Sequence, residues 1–212
     1  MRFELDHFFI LTDQPEQAGD LLVAFGLQES FRRDHKGQGT SNRRFEFANG
    51  MLEILYLRDV EEARNGPAKE MYLAERVAQP ETSPFGVVLT RISGSESVRP
   101  FKGWSYQADY FPAPNAFHVG DNSNRLHEPL CVYVPFMAPV ERSIDANPLR
   151  TLAEVTLLVP AQAFSDTLDS LSSVDRLSVE RGDEHLVEMT LGEGVCGKWK
   201  DFHPQLPLKI HW

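Results

Sequence analysis

The sequence predicts an α+β fold assembled from β-α-β-β-β modules, and three observations predict it. Short apolar runs of strand length recur along the chain, bounded by Gly, Pro and Asn. A single clear amphipathic helix stands between the first two runs of the opening segment. The opening segment also begins with an apolar strand carrying one histidine, Leu5-Asp6-His7-Phe8-Phe9-Ile10-Leu11, and ends with one carrying a carboxylate, Met51-Leu52-Glu53-Ile54-Leu55-Tyr56-Leu57.

Residues 1–57 make the first module. After the His7 strand, Asp13 suits a helix N-cap, Glu16 three residues later completes a capping-box pattern, and Pro15 is tolerated in the first turn. Leu21, Leu22 and Phe25 form an apolar stripe, and Gly26 is a natural stop. Strands are expected at Leu27 to Arg33, Asn42 to Phe47 and Met51 to Leu57. Asn49-Gly50 supplies the hairpin turn between the last two.

Residues 58–84 alternate charged and apolar positions and read as a helical linker closed by Pro80 and Pro84. Residues 85–137 form a second, helix-poor β module, with strands at Phe85 to Leu89, Phe117 to Val119 and Leu130 to Val134. Residues 148–192 read as a third, βαββ half-module: a strand at Leu152 to Leu158, a helix led by Pro160, then strands at Leu177 to Glu180 and His185 to Leu191. Laid over the first module, Glu154 falls at His7 and Glu188 at Glu53. Residues 193–212 form a tail, with Trp199, Phe202, His203 and Trp212 expected to pack on the body or on a partner subunit.

Composition excludes several classes. With 212 residues and 42% hydrophobic residues, the chain can bury a sizeable core. No run approaches the about 20 apolar residues that cross a bilayer, so no membrane partner is expected. A formal net charge of −10 repels phosphate backbones and argues against nucleic acid. The start Met1-Arg2-Phe3-Glu4 does not read as a signal peptide, and Cys131 and Cys196 alone make no disulfide framework, so a cytoplasmic location is expected.

A histidine and a glutamate inside apolar strands need partners, because burying either unpaired costs several kcal/mol or forces a pKa shift. His7 and Glu53 are therefore the first candidates for a shared site. They can partner a metal ion, each other or a ligand. The loop Gly37-Gln38-Gly39-Thr40 could offer backbone N–H groups to an anion, with Asn42, Arg43 and Arg44 alongside. Strand alternation sends the two arginines to opposite faces, so at most one faces the site. Trp104, Tyr106, Tyr110, Phe111 and Phe117 form either an aromatic wall or core.

A β-α-β-β-β module with His in its first strand and Glu in its last resembles the vicinal oxygen chelate superfamily, which includes glyoxalase I, extradiol dioxygenases and bleomycin-binding proteins. More narrowly, Leu5-Asp6-His7, the Gly37-Gln38-Gly39-Thr40-Ser41-Asn42-Arg43 stretch and Leu52-Glu53-Ile54-Leu55 resemble a bacterial glyoxalase-like domain family. The resemblance implies paired modules forming a cupped mixed sheet around a small-molecule pocket. It implies a divalent metal (Mn, Fe, Ni or Zn) held by His7 and Glu53, and a homodimer.

The second module departs from that pattern. Its ligand positions fall at about Gly86, which has no side chain, and Cys131. Glu154 and Glu188 are candidates to complete a His7, Glu53, Glu154, Glu188 metal set; His118, or His127 with Glu128, are alternatives. The functional expectation is a metal-dependent lyase, isomerase or dioxygenase acting on a small oxygenated substrate, with Glu53 and Glu154 as catalytic candidates. Gln38, Gly39, Thr40, Asn42, Arg43 and Trp104 are the ligand-binding candidates. The alternative is a metal-free small-molecule binding protein of the same fold.

Overall fold

The computed structural model describes residues 2–79, 81–137, 150–192 and 197–212. Met1, Pro80, the first four residues of the tail (193–196, with Cys196), and the first two residues of the third half-module lie outside these. The described residues form two sheets. The larger has eight strands in the order β2-β3-β4-β1-β5-β8-β7-β6. Its first half comprises β1 (Arg2–Leu11), α1 (Pro15–Phe25), β2 (Arg33–His35), β3 (Thr40–Phe47) and β4 (Gly50–Leu57). The helices α2 (Val60–Asn65) and α3 (Leu73–Ala78) come next. The second half comprises β5 (Phe85–Ser93), β6 (Gly103–Tyr106), β7 (Phe117–Gly120) and β8 (Leu130–Tyr133). The seam lies at β1, which pairs parallel with β4 and antiparallel with β5.

Each strand near the seam has two apolar faces. Phe8, Ile10, Leu52, Ile54, Val87 and Cys131 join one core, whereas Phe9, Leu11, Leu55, Val88, Leu130 and Val132 belong to another on the opposite face. This is the pattern of a sheet covered on both sides. The alternation slips once. Phe3 and Leu5 point into the first core, but so do Phe8 and Ile10, because a register shift falls between Leu5 and His7. A β-bulge adds one residue and re-aims the side chains beyond it. Here it turns both Asp6 and His7 towards the second face.

Local signals explain most element ends. Gly26 closes α1 with φ 111°, its N–H reaching back to Leu22 and Val23. The β3–β4 hairpin turns at Asn49-Gly50, pairing Phe47 with Gly50. Three expectations are corrected. The capping box is not made: Gln14 holds the cap position without a side-chain bond, and Glu16 pairs with Arg32 at 2.8 Å instead. The second strand is only Arg33–His35; Glu29 touches β3 through one isolated bridge to Phe45, while its carboxylate grips Arg43. The helix expected from Pro160 begins at Asp166, where Ser165 accepts the Leu168 N–H.

The smaller sheet contains β9 (Leu152–Val159), β10 (Leu177–Arg181), β11 (Leu186–Leu191), β12 (Trp199–Asp201) and β13 (Leu208–His211) in the order β10-β9-β11-β13-β12, with α4 (Asp166–Asp169) after β9. Leu152, Val155, Leu157, Val187 and Ile210 share the first core with β1 and α1, so this sheet backs the face away from the cup. The tail packs on the body: Phe25 meets Phe202 and Trp212 edge-on at 5.6 and 4.9 Å. Polar stitches fix the junction. Asn49 accepts the Leu152 N–H at 2.9 Å and donates to the Leu152 carbonyl at 2.8 Å, and Asp175 exchanges backbone bonds with Phe3 and Leu5.

Truncating Asn49 strips a donor and an acceptor of the Leu152 backbone of their partners. Asn49→Ala is expected to lower unfolding free energy by about 2 kcal/mol, read from urea melts at unchanged slope. A loss under about 0.5 kcal/mol would mean that the second sheet does not depend on this clamp.

Candidate functional site: a two-walled cup

Strand register decides what the concave face can offer. One row across the sheet reads Glu46–Met51–His7–Val88–Val132, and the next reads Arg44–Glu53–Phe9–Gly86–Leu130. The first module therefore contributes titratable groups and the second contributes hydrocarbon. The two walls enclose about 310 Å³, roofed by Tyr110, Phe111 and Phe117 from the segment around β7. That volume lies at the small end of the range for small-molecule sites, about 300–1,000 Å³.

The bulge makes His7 and Asp6 a pair: His7 Nδ1 lies 2.6 Å from Asp6 Oδ1. Burial pulls the His7 pKa down, but the Asp6 hydrogen bond and the negative charges of Glu53 and Asp6 outweigh it. The net result is a histidine raised above its ordinary value. His35, on β2, goes the other way. Its Nδ1 lies 3.0 Å from the Thr40 hydroxyl, and desolvation drives its pKa down to about 4, with Arg44, Arg33 and His7 also opposing a charge. Near neutrality the cup thus holds one imidazole biased towards the cation and one kept neutral.

Glu53 is buried beside them. Asn42 donates to its Oε1 at 2.8 Å, and Arg44 Nε stands 3.1 Å from the same oxygen without an aligned hydrogen bond. Among the described residues Oε2 has no partner. Asn42 also fixes β2, accepting the Arg33 N–H at 3.0 Å. Arg44 lies over the Phe31 ring at 4.5 Å. Tyr110 closes the mouth through Gln38, its hydroxyl 3.3 Å from Gln38 Oε1.

The candidate residues separate cleanly. His7, Glu53, Asn42 and Gln38 converge on the cup. Arg43 does not. It points from the other face towards α1, where it holds Asp20 at 3.0 Å, and it grips Glu29, beyond the helix, bidentately at 2.8 and 2.6 Å. A Cβ at Gly19 would stand 2.1 Å from its Cζ, which is why a glycine sits mid-helix there. Arg44 is the arginine of the cup. Gly39 and its loop are spoken for: Glu62 accepts the Gly37 N–H at 2.8 Å and the Gly39 N–H at 3.0 Å, so the anion nest is filled from within. Thr40 is buried against His35 and Gln38 and does not line the cavity. Trp104 lies on the edge strand β6, packed beside Tyr106 rather than on the cavity.

Glu154 and Glu188 are on the smaller sheet, remote from the cup. Glu154 is exposed, 3.2 Å from Ser178, and Glu188 faces Lys209 at 3.6 Å. The overlay fails because β9 pairs parallel with β10 and antiparallel with β11, so β10 stands where β4 does and β11 where β5 does. His118 is committed to the Phe101 carbonyl at 2.9 Å, His127 is exposed, and the Glu128 carboxylate binds Ser165 and Asn122. Cys131 faces the first core, its thiol pushed up to about 12 by burial.

The donor set does not fit the divalent metal that the resemblance implies. A protein metal site needs three or more ligands as a rule, and the paired strands of the second module present Val88, Leu130, Val132 and Gly86 to the cup. A Cβ at Gly86 would sit 2.0 Å from Phe9 Cζ, so the Phe9 ring fills the place of a second-module ligand. Glu53 is already beside a guanidinium, whose charge opposes a dication. No group of three candidate metal ligands exists among the described residues.

Asp6, His35 and Arg33 line the cup without having been named as site candidates from the sequence. For His35 and Arg33 the sequence offered little to find them by. Their signal was the alternation Arg33, His35 across a strand too short to recognise by period.

No protein-family model matches the chain, and no curated protein matches its sequence. Solved structures do match its shape. A hypothetical protein from Staphylococcus aureus covers 100% of this chain and 99% of its own at 12% identity, with a TM-score of 0.58. The likeness is one of fold. A hypothetical protein from Bacillus halodurans (12% identity, TM-score 0.40) covers 68% of this chain and 100% of its own. Streptomyces coelicolor methylmalonyl-CoA epimerase, solved with 2-nitronate-propionyl-CoA (10%, 0.39), covers 65% of this chain and 97% of its own. The paired-module cupped sheet is the architecture that the vicinal oxygen chelate resemblance implied, and among the described residues no helix is long and apolar enough to cross a membrane.

Elemental analysis of untagged protein purified without chelator should find no stoichiometric Mn, Fe, Ni or Zn. About one metal per chain, removed by His7→Ala, would overturn this reading of the donor set.

Proposed function

We propose that the cup binds a small oxygenated molecule with an apolar body and moves a proton at its polar end, as an isomerase or lyase does, without a metal step. One observation carries this reading: an acid and a base stand on the same wall, facing a wall of hydrocarbon. His7, biased to the cation by Asp6 and Glu53, is a donor suited to a carbonyl or developing enolate oxygen. Glu53, with Oε1 taken by Asn42 and Oε2 open, is the acceptor for a proton on the adjacent carbon. Val88, Leu130 and Val132 would hold the apolar body and keep water from the reacting end.

A second reading has its own support. Arg44 stands beside Glu53 and offsets its charge, which suits a site that binds without turnover. Incubation in D2O with a panel of α-hydroxycarbonyl compounds separates the two. Protein-dependent exchange of the α-proton should appear in the wild type and fall about 100-fold or more in Glu53→Gln, with binding retained. Exchange that survives Glu53→Gln contradicts the role of Glu53, and binding with no exchange favours the second reading.

A further inference from the structure

Two guanidinium groups open into the cup with their hydrogen-bonding capacity unused. Arg44 carries five N–H donors, yet none is aligned on a protein acceptor among the described residues, and its buried Nε is left unsatisfied despite lying near Glu53. Arg33 likewise donates no side-chain hydrogen bond and has no carboxylate partner among the described residues. Neither group is loose. Phe31 lies under both, 4.5 Å from Arg44 Cζ and 5.9 Å from Arg33 Cζ, and Tyr110 stands 5.8 Å from Arg33 on the cavity side. Planar forks stacked on aromatic rings are pre-set for bidentate recognition.

The opposing charges around them are accounted for. Asp6 is taken by His7, and Glu53 is held by Asn42 and lies against Arg44. Glu46, on the rim two residues from Arg44, is exposed and has no stacked or hydrogen-bonded position among the described residues. The organised, unsatisfied groups of the polar wall are therefore donors. Beyond them the cavity turns apolar within one strand, at Phe9, Val88 and Leu130.

From this juxtaposition we infer that the ligand carries a carboxylate, received by Arg33 and Arg44 at the mouth, joined to an apolar or aromatic body lying against the second-module wall. The inference rests on the proposed small-molecule reading of the cup and names its ligand class. Phe31, half exposed and stacked under both forks, then holds them in place, so that little side-chain freedom is lost on binding.

Three matched probes test it: 4-phenylbutyrate, 4-phenylbutanamide and 4-phenylbutylamine, titrated at pH 7 by calorimetry and ligand-observed NMR. The wild type should bind the carboxylate about tenfold tighter than the amide, since hydrogen bonds to charged groups are the stronger ones, with the amine weakest. Arg33→Gln, a change at an exposed side chain, should erase the preference for carboxylate over amide while amide affinity holds. Equal affinity for carboxylate and amide in the wild type, tighter binding of the amine, or a preference that survives Arg33→Gln overturns the carboxylate assignment and leaves the cup reading standing. If none of the three binds at millimolar concentration, both the assignment and the cup reading fall.

Discussion

The bulge in β1 is the constraint on which the site depends. A strand that kept its alternation from Phe3 onwards would place Asp6 in the cup and His7 in the apolar core. One extra residue between Leu5 and Phe8 leaves both facing the cup and restores Phe8 and Ile10 to the core. The consequence is chemical as well as geometric. Neighbours in sequence normally point to opposite faces of a sheet, so a His–Asp pair at consecutive positions is available only where the alternation breaks. That pairing, together with the charge of Glu53, outweighs the burial of the imidazole.

Around this seam the two halves of the sheet divide the work. The first module supplies polar and titratable groups, three of them with a named partner: Asp6 for His7, Asn42 for Glu53, Thr40 for His35. The second module has the same strand order without the donors on its strands. Gly86 yields its space to the Phe9 ring, and Val88, Leu130 and Val132 complete an apolar wall. The smaller sheet has no part in the cup. It backs the opposite face, held by a shared core and by the Asn49 and Asp175 stitches.

Much of this is legible in the sequence. The Asn49-Gly50 hairpin, the Gly26 stop and the His7 and Glu53 strands obey local rules, and those strands adjoin as parallel neighbours. Even the bulge leaves a trace, since the apolar positions 3 and 5 give way to 8 and 10. What escapes depends on long-range pairing. Nothing local tells whether Arg43 or Arg44 faces the cup, because alternation fixes their opposition but not its phase. The Gly37–Gly39 nest looks open in sequence because Glu62, which fills it, lies in another element. Glu154 and Glu188 fall in a first and a last strand like those of His7 and Glu53 but at a shorter separation, and pairing order places them on the second sheet.

The central claim is that one wall of the cup holds two histidines whose pKa values move in opposite directions, raised at His7 by Asp6 and Glu53 and lowered at His35 by burial. The most direct test is a pH titration of the ring carbons of His7 and His35 by NMR, assigned with His7→Gln and His35→Gln. The account predicts a His7 midpoint above the ordinary histidine value of 6.5 and a His35 midpoint near 4. Two rings titrating together at that ordinary value would contradict it.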